Sequence, residues 1–94
     1  MKLTEADIKS QVKDYLAIQG IFSYPLTQGI GSFRGLPDRV IHYKGQVIYL
    51  ECKRPKRGLS PSQLSFYLQC KRDGILYKVI HSVEELENLL RWVE

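Results

Sequence analysis

Apolar positions recur at helical spacing near the start of the chain. Ile8, Val12, Tyr15 and Leu16, with Gln19 completing the row, predict a helix over 5–19. Thr4 fits its N-cap with Asp7 at N3 in a variant capping box, and Leu3 and Ile8 fit a hydrophobic staple. Gly20 is a natural terminator. Residues 21–26 read as a short strand, which Pro25 confines to a sheet edge or a strand end. Residues 27–36 form a loop with glycines at 29, 31 and 35, where unusual dihedrals and close backbone approach become possible. Residues 37–43 and 46–53 read as a hairpin around Lys44-Gly45. A basic loop over 54–59 leads to Ser60-Pro61-Ser62-Gln63, which supplies an N-cap, an N1 proline and a capping-box glutamine. That helix should end near Arg72, before Asp73-Gly74, and a strand follows over 75–80. Ser82-Val83-Glu84-Glu85 reads as another capping box, opening a last helix with Leu86, Leu89, Leu90 and Val93. The order is α-β-β-β-α-β-α. It predicts an α/β fold: a mixed central sheet with a right-handed crossover and helices on both faces.

With 94 residues, the chain is read as a single domain over 1–94. A (β/α)₈ barrel, which needs about 250 residues, is excluded. Hydrophobic residues at 44% and charged residues at 26% argue against disorder. No apolar run approaches the ~18 residues of a membrane span, and the opening Met1-Lys2-Leu3-Thr4-Glu5 turns polar at once, so a soluble intracellular protein is expected. The net charge is +4, and it is unevenly placed. Residues 34–57 hold seven of the fourteen bases and two of the ten acids, so all the excess is central. Such a patch favours a polyanion, nucleic acid first. Cys52 and Cys70 lack zinc or disulfide spacing and read as buried thiols, while His42 and His81 read as strand-end or surface residues.

The hairpin carries the candidate chemistry. With Lys44-Gly45 as its loop, Tyr43 pairs with Gln46, and the register carries Asp38 directly opposite Glu51. Opposed Cβ atoms lie roughly 4.5–5.5 Å apart. Two carboxylates so placed must share a proton or bind a cation. Lys53, two residues beyond Glu51, points to the same face. This arrangement suits phosphodiester hydrolysis with a hard divalent cation, which takes carboxylate oxygens and water; Mg²⁺ keeps several waters. Strand parity sends Ile48, Leu50 and Cys52 into the core, leaving the Cys52 backbone carbonyl available as a further ligand. Lys53 would orient a water or neutralise charge building on phosphorus.

Gly35-Leu36-Pro37-Asp38, followed after twelve residues by Glu51-Cys52-Lys53, is the pattern Pro-Asp…Glu-x-Lys. It resembles the PD-(D/E)xK nuclease superfamily. Together with Thr4-Glu5 and Ile8, Glu51-Cys52-Lys53-Arg54-Pro55, Leu59-Ser60-Pro61-x-Gln63, Gly74…Tyr77-x-Val79 and Ser82-x-Glu84-Glu85, it resembles the VRR-NUC family in its short stand-alone phage and bacterial form, over nearly the whole chain. The resemblance implies a restriction-endonuclease-like core and a metal-dependent, structure-specific DNA endonuclease, related in fold to archaeal Holliday junction resolvases. It implies that Asp38 and Glu51 hold Mg²⁺ or Mn²⁺ with the carbonyl of Cys52, and that Lys53 serves the attacking water. Gln63 would support the site from its helix and Glu5 would approach from the first helix. It further implies a cytoplasmic setting in a bacterium or phage-infected cell. Lys56-Arg57-Gly58 departs from the small, glycine-rich stretch of many relatives.

Each residue also has a plainer role. Gln63 suffices as a helix cap, and Glu5 gains from the helix dipole without any metal. Arg34, Arg54, Lys56 and Arg57 are either DNA contacts or solvated loop charges. Tyr15, Tyr49, Tyr67 and Tyr77 read as core. Trp92 is open to packing or self-association. A C₂ homodimer would match the symmetry of a four-way junction. The competing functions are a non-catalytic nucleic-acid-binding module that keeps the nuclease fold, and an interaction protein with a basic loop.

Overall fold

The computed structural model describes residues 2–93. Its elements are α1 (Glu5–Ile18), β1 (Ser23–Pro25), β2 (Arg39–Tyr43), β3 (Gln46–Cys52), α2 (Pro61–Asp73), β4 (Leu76–Ile80) and α3 (Val83–Arg91). The order is the one the sequence predicts. The four strands form one mixed sheet in the order β1-β2-β3-β4, antiparallel except for the β3–β4 pair. β1 therefore lies at an edge, as Pro25 requires, and is shorter than the 21–26 expected.

Local chemistry explains the element ends. Thr4 and Asp7 close a reciprocal capping box on α1, and Ser60 and Gln63 close one on α2. Gly20 and Gly74 follow α1 and α2 at φ 69° and 72°, where a glycine carries no Cβ penalty. α3 corrects the expectation. Ser82 Oγ accepts the N–H of Glu85, but the Glu85 carboxylate turns to His81 Nδ1 at 3.2 Å, so the box is only half formed. Lys44 and Gly45 both take positive φ, 51° and 75°, as a two-residue type I′ hairpin needs.

One face of the sheet carries the main core. Ile41, Ile48, Leu50, Cys52 and Ile80 meet Ile8, Val12 and Leu16 of α1 and Leu86 and Leu90 of α3 there. α2 covers the other face only over β3 and β4, where Phe66 packs its ring on Tyr49 and Tyr77. Tyr77 is buried, while Tyr15, Tyr49 and Tyr67 are half-buried. The part α2 does not reach shows Phe22, Tyr24 and Val47 to solvent, with His42 packed edge-on between the two rings. Trp92 is exposed. No helix among the described residues is long and apolar enough to cross a membrane.

One glycine is fixed by packing. Gly35 sits at φ 85°, and a Cβ there would collide with the Ser62 carbonyl and lie 2.8 Å from the Gln63 nitrogen. The glycine loop is thus pressed onto the first turn of α2. Gly35→Ala is expected to cost about 2–3 kcal/mol or more, from positive-φ strain plus a backbone clash, read by urea unfolding. Gly29 and Gly31 have open space around them, so only Gly35 is bound to structure in this way.

Candidate active site

The β2–β3 register is the predicted one: Arg39 pairs with Leu50 and Tyr43 with Gln46. Asp38 lies one residue before β2, whereas the sequence placed it inside the strand. The ladder stops there because Pro37 has no N–H to offer. Asp38 is nonetheless held twice. Its carbonyl accepts the N–H of Leu26 at 3.0 Å, and its Oδ2 accepts the N–H of Cys52 at 2.7 Å. The backbone of β3 thereby aims the carboxylate at Glu51.

Glu51 is 2% exposed, the buried charged residue of the chain's core. Its Oε2 accepts from Gln63 Nε2 at 3.2 Å and lies 3.7 Å from Lys53 Nζ. Its Oε1 is buried with no hydrogen-bond partner. Gln63 resolves the choice left by its sequence, because the amide has two ends. Oε1 accepts the Ser60 N–H at 2.9 Å, while Nε2 holds Glu51. Capping and site support are the same side chain.

Lys53 is only 12% exposed and lies 3.8 Å from Glu5 Oε1, so it stands between Glu5 and Glu51. Its N–H donates to the Ile80 carbonyl at 2.9 Å, which continues the β3–β4 ladder and fixes its backbone. Asp38, Glu51, Lys53, Gln63 and Glu5 are therefore all brought to one place. Cys52 contributes its N–H to Asp38, and its thiol points into the core, with burial and then the nearby Asp38 and Glu51 charges pushing it up to about 12. It is no nucleophile at neutral pH.

The sequence reading missed Lys9. Its Nζ lies 3.0 Å from Asp38 Oδ1. Burial works against its charge, but Asp38, Glu51 and Glu5 together outweigh that, and its pKa is raised above the ordinary value. The available signal was its position one helical turn after Glu5, on the same face of α1.

Burial, and next the Asp38 charge, push Glu51 up to about 8; Lys53 opposes the shift. Two acids this close cannot both ionise freely. Tyr77 is raised by burial and then by Glu51 and Asp38, and its hydroxyl is buried without a partner. Tyr77→Phe should therefore be neutral or stabilising by about 1 kcal/mol in thermal unfolding, since it removes a desolvated hydroxyl and keeps the ring.

The basic residues divide. Arg54 and Lys56, with Lys2 and His81, line a cleft of about 520 Å³ floored by Leu3 and Ile8. Arg34 and Arg57 are exposed on their loops.

No protein-family model matches the chain, and no curated protein does. Two solved structures, described as a VRR_NUC domain and a VRR_NUC domain protein, do match. The first has a TM-score of 0.80 at 19% identity, covering 98% of this chain and 100% of its own. The second has a TM-score of 0.81 at 15% identity, covering 97% of this chain and 88% of its own. The chain has the VRR_NUC fold. The fold that the Pro-Asp…Glu-x-Lys resemblance implied is thereby borne out, and the acid pair, Lys53 and Gln63 sit together on a VRR_NUC fold.

Whether a divalent ion suits these residues turns on the two acids. Among the described residues no three of His, Cys, Asp or Glu gather into a metal cage. An all-protein cage is not what Mg²⁺ uses beside phosphates, however; one or two carboxylates plus waters and substrate oxygens suffice. The unpartnered Oε1 of Glu51, beside Asp38, is the kind of buried acceptor that a proton or a hard cation satisfies. The donor set fits.

Proposed function

We propose that the chain is a VRR-NUC-type, Mg²⁺- or Mn²⁺-dependent DNA endonuclease that hydrolyses phosphodiester bonds in branched DNA, in the manner of a Holliday junction resolvase. The observation that carries this reading is the buried Glu51, one oxygen unpartnered, set against Asp38 and flanked by Lys53. Asp38 and Glu51 would hold the ion, with the Cys52 carbonyl as a third donor. When bound, the ion polarises a phosphoryl oxygen and makes a water more acidic. Lys53 orients the attacking water or meets the charge that builds on phosphorus, its own position set by Glu5 and Glu51. Gln63 keeps Glu51 from rotating away. Arg54 and Lys56 take flanking phosphates along their cleft, with Arg34 and Arg57 adding to the field. Such contacts read the backbone, so DNA shape sets selectivity.

The test is cleavage of a four-way junction, a flap, a single strand and plain duplex, with Mg²⁺, with Mn²⁺ and with EDTA. Cutting should need the metal and should favour the junction. Cutting that persists in EDTA removes the reading. Metal-independent, salt-sensitive binding with no cleavage would favour a binding module that keeps the fold.

The proposal includes a homodimer. The apolar face left open by α2, with Phe22, Tyr24 and Val47, supports it. Sedimentation should show a dimer at micromolar concentration; a monomer that cleaves junctions fully would count against it.

A further inference from the structure

Both oxygens of Asp38 already meet donors. Oδ2 accepts the backbone N–H of Cys52 at 2.7 Å, which fixes the carboxylate in place, and Lys9 Nζ lies 3.0 Å from Oδ1. On Glu51, Oε2 accepts from Gln63, and Oε1 meets no donor, so that its hydrogen bond with the neighbouring Asp38 carboxylate needs a proton on one of the two acids. The two acids are thus in different states: Glu51 keeps an oxygen that meets no donor, and Asp38 faces an ammonium.

The two lysines at the site differ in kind. Lys53 is 12% exposed, follows directly on β3 and stands between Glu5 and Glu51. Lys9 is 47% exposed and reaches Asp38 from α1. That helix cannot roll to follow its side chain, because Ile8 and Val12 beside Lys9 are buried in the core and the Thr4–Asp7 box closes the first turn. The flexible stem can move alone into solvent. An ammonium has three donors and no lone pair, so it cannot share Oδ1 side by side with another cation without direct repulsion.

From these contacts we infer that Lys9 is a displaceable counter-ion: its ammonium neutralises Asp38 until a divalent ion arrives, competes with that ion for Oδ1, and swings out when it binds. The inference rests on reading the acid pair as the metal site. It makes Lys9 a positioning residue that sets metal affinity. A singly charged ion gains little by exchanging with an ammonium, whereas a divalent ion gains both acids at once.

The experiment is calorimetric titration of the full chain with MnCl₂ for the unsubstituted protein, Lys9→Met, Lys9→Arg and Asp38→Asn, with thermal unfolding of each in EDTA. Lys9→Met should bind Mn²⁺ roughly three- to tenfold more tightly, because a competing positive charge is gone. In EDTA it should melt about 2–5 °C lower, because Asp38 loses its partner. Those opposite directions are the signature, since a brace that merely holds α1 to the sheet would lower both. Lys9→Arg, whose fork grips a carboxylate more firmly, should bind Mn²⁺ no better than the unsubstituted protein. Equal or weaker Mn²⁺ binding by Lys9→Met overturns the inference. If the unsubstituted protein binds Mn²⁺, Asp38→Asn does not, and Lys9→Met shows no gain, the metal site stands and the counter-ion falls. If neither the unsubstituted protein nor Lys9→Met binds Mn²⁺, both fall together.

Discussion

Asp38→Asn is expected to lower junction cleavage by about a thousandfold or more, equivalent to roughly 4 kcal/mol of transition-state stabilisation, and to leave the fold intact. The amide oxygen can still accept the Cys52 N–H that Oδ2 accepts now, so the local backbone keeps its hydrogen bond. The amide NH₂ must then face Lys9, which at present meets Oδ1 at 3.0 Å. A donor is set against a donor, and the negative charge that would bind the ion is gone. Lys53→Ala should give a loss of about a hundred- to ten-thousandfold by a different route, since it leaves the acids in place and removes the ammonium 3.7 Å from Glu51. The two variants separate in metal titration: Asp38→Asn should lose Mn²⁺ binding, and Lys53→Ala should keep it. Circular dichroism and unfolding curves check that both remain folded. Cleavage by either variant within tenfold of the unsubstituted protein would end the proposed mechanism.

What was legible in the sequence was whatever short-range chemistry decides. The capping boxes on α1 and α2 each lie within four residues, and both form as written. The hairpin register needed only a two-residue loop and strand parity, and Tyr43 to Arg39 pair with Gln46 to Leu50 as read, with Asp38 falling one residue short of the ladder. Gln63 was legible as two alternatives, and the structure joins them because its amide oxygen and nitrogen serve different partners. Lys9 was not legible. Its partner Asp38 is far along the chain, and only the way α1 lies across the end of β3 brings them to 3.0 Å. Gly35 had a similar fate. The sequence offered a glycine loop open to close backbone approach, and its docking on α2 shows that the backbone approached is that of Ser62 and Gln63. The half-formed cap on α3 failed for a local reason of another sort, because His81 competes for the Glu85 carboxylate. The open face around Phe22 and Tyr24 could not be foreseen from alternation alone, since it depends on how far α2 reaches across the sheet.

The second large effect is expected in stability against pH, measured in EDTA. Glu51 is raised from 4.5 to about 8 in the folded protein, by burial first and the Asp38 charge second. Between those values the folded chain keeps a proton that the unfolded chain has lost. Stability changes with pH as the difference in bound protons, unfolded minus folded, and that difference is negative here. The protein should therefore lose stability as pH rises from about 4.5 through about 8, by at most about 4–5 kcal/mol from this group, and level off above. Urea unfolding at pH 5, 7 and 9 measures it. Glu51→Gln should flatten that slope, because its neutral amide has no proton to lose; a slope that survives the substitution would assign the effect elsewhere. Saturating Mn²⁺ should cancel the trend and leave stability nearly flat over that window. An ion held by Asp38 and Glu51 needs both acids ionised, so its affinity, and with it the stability it confers, rises over the same window in which the protein without it weakens. The same buried carboxyl that burdens the fold at high pH would then be the group whose ionisation the ion stabilises, and the difference between the two curves, with and without Mn²⁺, should widen up to about pH 8 and then hold constant.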